Sequence, residues 1–202
     1  MIVSLLFLFA FLVGSIPFGF LIAKSQGIDI RKQGSGNIGA TNVGRVLGRK
    51  WGILVFILDV LKGSGIVLLS RMTFWGNDHS LEGRQIGAGI AVVLGHNFCP
   101  WLGGKGGKGI ATSLGVLFVA FPEASLWALG IWLIMVWITR YVSVGSLAGA
   151  CVLIISGFFY YRTGIKGWAC LILGLLAIVR HRSNIVRLIQ GKESKVFSQR
   201  KL

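Results

Sequence analysis

The chain has 202 residues, 54% of them apolar and only 13% charged. Soluble domains carry about 25% charged residues, so too little polar surface remains to cover a water-soluble body, and both a soluble enzyme and a disordered chain are excluded. With 21 Lys and Arg against 6 Asp and Glu, the net charge is +15, which calls for an anionic partner: lipid headgroups, nucleic acid or a phosphorylated small molecule.

Taken in chain order, Met1 to Ala23 is free of charge and ends at Lys24 without a cleavage-like site, so it reads as a retained span rather than a signal peptide. A second span runs from Trp51 to Ser70 and contains Asp59 and Lys62, which at i,i+3 read foremost as a structural pair. Charge-free runs follow at 85–104, 109–122, 124–139, 141–161 and 167–179. About 20 apolar residues cross a bilayer. The expectation is an all-α integral membrane protein, a polytopic bundle of seven transmembrane helices forming a single domain over 1–202, with five spans as the alternative if 85–122 only dips into the membrane. Seven crossings leave Arg71, Arg84, Arg162 and Lys166 on one side, Lys62 within a span, and every other cation on the opposite side. That asymmetry predicts the N-terminus outside and the C-terminus cytoplasmic. The basic tail, 180–202, has Ile185, Val186, Leu188 and Ile189 at helical spacing and reads mostly as an interfacial helix on anionic lipid.

Three polar segments interrupt the apolar pattern, all on the side read as cytoplasmic. The first, within loop 24–50, is Gly34-Ser-Gly-Asn-Ile-Gly-Ala-Thr-Asn-Val-Gly-Arg45. It matches GxGxxG formally, but a dinucleotide fingerprint needs a preceding strand and a later acid, and here a membrane span and a basic loop precede it. What remains is a loop whose backbone N–H groups, with Ser35, Thr41 and Arg45, would converge on a phosphate. The second, Gly95 to Gly109, sets five glycines around Lys105 and Lys108 and lacks the Walker A order. It too reads as an anion-binding loop. The third is Arg180-His-Arg-Ser-Asn-Ile-Val-Arg187, where His181 and Asn184 stand at i,i+3.

Other chemistries find no support. The histidines (His79, His96, His181) are scattered and no Cys/His cluster has metal spacing. None of the three is followed by Asp at the H-x4-D spacing of the large glycerolipid acyltransferases. On that side only Asp29 and Glu193 are carboxylates, which argues against a Ser–His–Asp triad. Cys99, Cys151 and Cys170 read as small core residues. A transporter would place polar groups at mid-membrane on several spans, and here only Asp59 and Lys62 lie deep. The cations are spread over membrane loops rather than interleaved with stacking aromatics, so nucleic acid is not the partner.

At these motifs the chain resembles the bacterial acyl-phosphate:glycerol-3-phosphate acyltransferases, the PlsY type, over nearly its whole length. The resemblance rests on Gly14-Ser-Ile-Pro-Phe-Gly19, Ser35 to Arg45, Asp59 to Gly63, Gly95-His96, Lys105 to Thr112 and His181 to Leu188. One departure is Gly103-Gly104 before Lys105, where many relatives have an aromatic. The resemblance implies a membrane transferase of phospholipid synthesis, moving a fatty acyl group from acyl phosphate to the sn-1 hydroxyl of glycerol 3-phosphate. Lysophosphatidic acid and phosphate would be the products, with no ATP, metal or other cofactor invoked. It assigns catalysis to Ser35, Arg45, Lys105, His181 and Asn184. Substrate binding falls to Asn37, Thr41, Gly103, Gly104, Gly106, Gly107 and Lys108, with His96 and Asn97 in second rank. The protein is expected as a monomer in the cell's inner membrane, in contact with lipid, its active site facing the cytoplasm. The hydroxyl proton goes either to His181, with an ordinary pKa of about 6.5 but flanked by Arg180 and Arg182, or to a substrate phosphate, the preferred reading.

Overall fold

The computed structural model describes residues 2–72 and 81–196, and among these ten α-helices and two short 3-10 turns occur, with no strand. Asp78 and His79, and residues 197–202 of the basic tail, lie outside the described residues. The chain forms two compact units, Met1–Pro122 and Glu123–Leu202.

In the first unit, α1 (Ile2–Gly14) and α2 (Phe18–Ser25) together make one apolar stretch of 24 residues. The single uninterrupted span expected over 1–23 is broken at Ser15–Pro17, because Pro17 has no N–H to continue the ladder. A break at membrane depth frees backbone carbonyls, and these must find partners inside the protein. They do: the Cys99 thiol donates to the Ser15 carbonyl (3.0 Å) and the Lys62 ammonium to the Ile16 carbonyl (3.1 Å). Trp101 Nε1 also donates to Ser15 Oγ (2.8 Å).

Next come α3 (Ala40–Leu47), α4 (Arg49–Met72), α5 (Leu81–Asn97) and α6 (Ile110–Ala120). The charge-free run 85–104 does not continue as helix beyond Asn97. The residue before Pro100 resists the α conformation, and Gly103 and Gly104 take φ of +62° and +77°. At 11 residues α6 is about 16 Å long, roughly half the ~30 Å hydrocarbon core. It reaches α4 through reciprocal glycines: a Cβ on Gly63 would strike the Thr112 carbonyl, and one on Gly115 the Val60 carbonyl. Small residues that let backbones approach are how helices associate where lipid is as apolar as leucine.

In the second unit, α7 (Pro122–Thr139) precedes α8 (Val142–Tyr161), α9 (Ile165–Arg180) and α10 (Arg182–Ile189), with Pro122 itself assigned to the first unit. The last pair is bent by 52° at His181. Among the described residues, four helical stretches are long and apolar enough to cross a membrane, five if that bent pair counts as one span. Between their charged ends these stretches expose large apolar side chains, among them Trp137 (76% exposed) and Phe159 (72%), as a lipid-facing surface requires.

Candidate active site

The first motif is a loop built around one buried amide. Asn42, 2% exposed on α3, accepts from Ser35 N (2.8 Å) and donates to the Gln33 (3.0 Å) and Asn37 (2.9 Å) carbonyls. Asn37 Oδ1 accepts from Gly39 N (2.9 Å) at the start of α3. Upstream, the Arg31 side chain donates to both Asp29 oxygens and holds that carboxyl down to about 2. Ser35, Thr41 and Arg45 are exposed, and Thr41 and Arg45 lie one turn apart on α3. The asparagines therefore build the loop, and the hydroxyls and guanidinium face outward.

The second motif sorts its glycines into two kinds. Gly103, Gly104 and Lys105 are exposed, and the two glycines take positive φ. Gly106 and Gly107 are buried against the end of α5: a Cβ on Gly106 would meet the His96 carbonyl, and one on Gly107 the His96 Nε2. His96 and Asn97 are 5% and 0% exposed.

The two loops share a hydrophobic cluster in which Ile30, Ile38 and Val43 of the first pack with Cys99 and Leu102 of the second. Both therefore occupy one end of the first unit. Several of the backbone N–H groups named as converging on phosphate are donated within the loops: Ser35 and Gly39 to asparagine oxygens, Gly36 to Gln33, Gly103 to Pro100, Gly104 to Cys99, Lys105 to Leu102 and Gly107 to His96. An amide already paired within its loop is not available to a phosphate.

Beneath the second loop lies the pair expected from α4. Lys62 Nζ is 2.8 Å from Asp59 Oδ1, with both side chains 3% exposed. His96 joins them, its Nδ1 2.9 Å from Lys62 Nζ, a connection that the spacing of 59, 62 and 96 does not announce.

In the second unit the third motif sits at the bend. His181 caps α10, and its Nδ1 lies 2.8 Å from the Ala177 carbonyl. A carbonyl only accepts, so the hydrogen belongs on Nδ1 and the neutral ring keeps its lone pair on Nε2. His181 and Asn184 are related as cap and third helical residue rather than as neighbours within one helix. Asn184 Nδ2 donates to Glu193 Oε1 (2.7 Å), as does Ser143 Oγ (2.9 Å), while Arg187 Nε donates to Oε2 (2.7 Å). Burial pushes the Glu193 carboxyl up, but the hydrogen bonds from Arg187, Asn184 and Ser143 outweigh it and hold the group below its ordinary value. The sequence reading named Glu193 only to reject a triad. Its Asn-x8-Glu separation has no periodic signature and became visible only when the tail folded back.

The chain is similar to known proteins over nearly its whole length. Residues 4–191 match the family model described as glycerol-3-phosphate acyltransferase. A relative of that name from Anaeromyxobacter dehalogenans (strain 2CP-C) is 44% identical over 190 residues, covering 92% of this chain and 93% of its own. Another, from Aquifex aeolicus (strain VF5), is 44% identical over 196 residues, covering 94% and 97%. Among solved structures, the glycerol 3-phosphate form of PlsY (YgiH), an integral membrane glycerol 3-phosphate acyltransferase, aligns with a TM-score of 0.87 at 41% identity, covering 96% of each chain. The lysophosphatidic acid form aligns with a TM-score of 0.80 at 42% identity, covering 96% of this chain and 95% of that one. The chain belongs to the integral membrane glycerol-3-phosphate acyltransferase family.

Proposed function

We propose that this acyltransferase takes its acyl group from an acyl phosphate and delivers it to the sn-1 hydroxyl of glycerol 3-phosphate, the first acylation of phospholipid synthesis. The hydroxyl oxygen attacks the acyl carbonyl carbon, the bond from that carbon to the phosphate oxygen breaks, and inorganic phosphate leaves. A mixed anhydride already has a good leaving group, so the protein's part is positioning and charge neutralisation. Ser35, Thr41 and Arg45 engage phosphate oxygens, and Arg45 can do so bidentately. Lys105 supplies point charge for the acceptor's phosphate, with Lys108 beside it and Gly103, Gly104, Gly106 and Gly107 shaping the loop. Asn37 serves by holding the first loop. His181 and Asn184 orient the acceptor, and the hydroxyl proton passes to a substrate phosphate.

The observation that carries this reading is the sorting of the first loop, asparagines inward and Ser35, Thr41 and Arg45 outward. A flexible linker would not spend a buried, triply bonded amide to present a guanidinium.

The chain crosses the inner membrane seven times as a monomer, N-terminus outside, with the active site and tail cytoplasmic. Two internal features support that count. Both loops of the first unit pack in one cluster, as segments two crossings apart must. In the second unit Val196 N donates to the Arg140 carbonyl (2.8 Å), so the α7–α8 turn and the tail share a side. The short α6 completes the count, its backbone shielded by α4 and α5.

Purified protein in detergent, given palmitoyl phosphate and glycerol 3-phosphate, should release phosphate only when both are present, and Arg45→Ala should abolish release. Turnover only with acyl-CoA or acyl carrier protein thioester would refute the donor.

A further inference from the structure

We propose that Asp59, Lys62 and His96 are positioning residues for the acceptor's phosphate site: the buried ammonium sets the His96 ring, and that ring is the surface on which Gly106-Gly107 of the second loop is folded. This rests on the reading above that the second loop binds the phosphate of glycerol 3-phosphate.

The three side chains lie within the first unit and are nearly enclosed, at 2%, 6% and 5% exposure. The Lys62 ammonium forms an ion pair with Asp59 Oδ1 (2.8 Å), donates to the Ile16 carbonyl (3.1 Å) and lies 2.9 Å from His96 Nδ1. The Phe18 ring, 5.5 Å away, closes another side. His96 Nδ1 also lies 3.5 Å from Asp59 Oδ1, so this ring nitrogen is held against both members of the pair. With one nitrogen tied to a charge that is itself held at two other points, the ring cannot rotate without breaking a buried interaction.

Nε2 is the atom that faces the loop. A Cβ on Gly107 would strike it, and would also lie 2.8 Å from Cε1 and 3.0 Å from Cδ2. Gly107 N donates to the His96 carbonyl (3.0 Å), and Gly106 passes over the same carbonyl too closely for a Cβ. One residue thus templates two consecutive glycines directly after Lys105. The same ammonium ties this template to the α1–α2 break through Ile16. Buried ion pairs contribute little net stability compared with apolar side chains of equal volume. Fixing one ring orientation is a use that apolar packing would not supply. His96 accordingly acts through the loop rather than by touching substrate.

The test is a set of KM values for glycerol 3-phosphate and palmitoyl phosphate, with Tm measured in the same detergent. Lys62→Met alone would strand a buried carboxylate and threaten folding, so the charges are removed together as Asp59→Asn/Lys62→Met. His96→Asn keeps an acceptor for Lys62 but withdraws the ring from Gly107. Both variants should raise KM for glycerol 3-phosphate by about tenfold or more, while KM for palmitoyl phosphate and kcat at saturation stay within about threefold. Gly107→Ala should raise the same KM, yet add nothing once His96→Asn has vacated the space, a non-additivity that coupling through the ring requires. An unchanged acceptor KM in folded His96→Asn protein overturns the proposal. So do parallel losses in both KM values and Tm, or additive Gly107→Ala and His96→Asn effects. Lys105→Ala separates the two levels: if it raises acceptor KM and His96→Asn does not, only this inference fails. If Lys105→Ala leaves acceptor KM unchanged, the reading of the second loop fails and takes this one with it.

Discussion

Asn42→Ala should separate loop architecture from direct substrate contact. The wild-type amide satisfies one buried N–H and two carbonyls at 2.8, 3.0 and 2.9 Å from a side chain 2% exposed. Truncation removes all three bonds. At about 1 kcal/mol net for each, the ordered loop loses roughly 3 kcal/mol, which corresponds to about a 100-fold fall in the competent population. Ser35 and Arg45 flank this amide along the chain, so the loss should be read in kcat/KM with palmitoyl phosphate and glycerol 3-phosphate. Global Tm should fall much less, because α3 still packs through Val43 in the hydrophobic cluster. Asn37→Ala is the control: it removes one bond to Gly39 N, so roughly five- to tenfold is expected if Asn37 only holds the turn that leads into α3. Wild-type kcat/KM for Asn42→Ala, in protein shown to be folded, would refute the claim that this amide builds the site.

Four further outcomes follow from the structure. His181→Gln should keep its rate within about a few-fold if a substrate phosphate takes the proton, whereas a loss of about 100-fold or more would make His181 the base. Gly115→Ala drives a Cβ into the Val60 carbonyl, so it should cost about 1–3 kcal/mol of stability, seen as a lower Tm in detergent. Glu193 has its carboxyl held below the ordinary 4.5, so its contribution is complete above that value and is lost as pH falls through the depressed one. Tm should therefore be insensitive to this group from neutral pH down to about 5 and decline below 4.5, with the decline blunted in Glu193→Gln. Cysteines introduced as Lys32→Cys and Lys192→Cys should both react with an impermeant reagent only after the inner membrane is opened, and labelling of either from outside would contradict the orientation.

The class of protein and the position of its motifs could be read from composition and from where charge interrupts the apolar runs. The α4 pair was legible because i,i+3 is a local relation that a helix imposes. The break in the first span was not. Pro17 sits in an unbroken apolar run, and the groups that satisfy the freed carbonyls, Cys99 and Lys62, lie far away in sequence. The run 85–104 misled for the opposite reason, since hydropathy continues through Trp101 and Leu102 while the backbone has already left the helix at Asn97.

Glycine density is where sequence and structure part most instructively. A run such as Gly-Gly-Lys-Gly-Gly-Lys-Gly suggests backbone amides cupped around an anion, because known phosphate loops use glycine that way. Here the glycines answer two other demands. Gly103 and Gly104 are glycine because their φ is positive, Gly106 and Gly107 because α5 passes too close for a Cβ. Neither demand leaves a mark in the sequence that distinguishes it from amide-mediated binding. What does distinguish them is the destination of each N–H, and those of Ser35, Gly36, Gly39, Gly103, Gly104, Lys105 and Gly107 are donated within the loops. The proposed phosphate contacts therefore rest first on outward side chains such as Arg45 and Lys105, with these glycines shaping the scaffold that aims them. Substituting Lys105 should thus weaken acceptor binding by removing charge, whereas substituting Gly107 should do so by displacing a ring. Dependence of the first effect on ionic strength, and its absence from the second, would tell the two mechanisms apart.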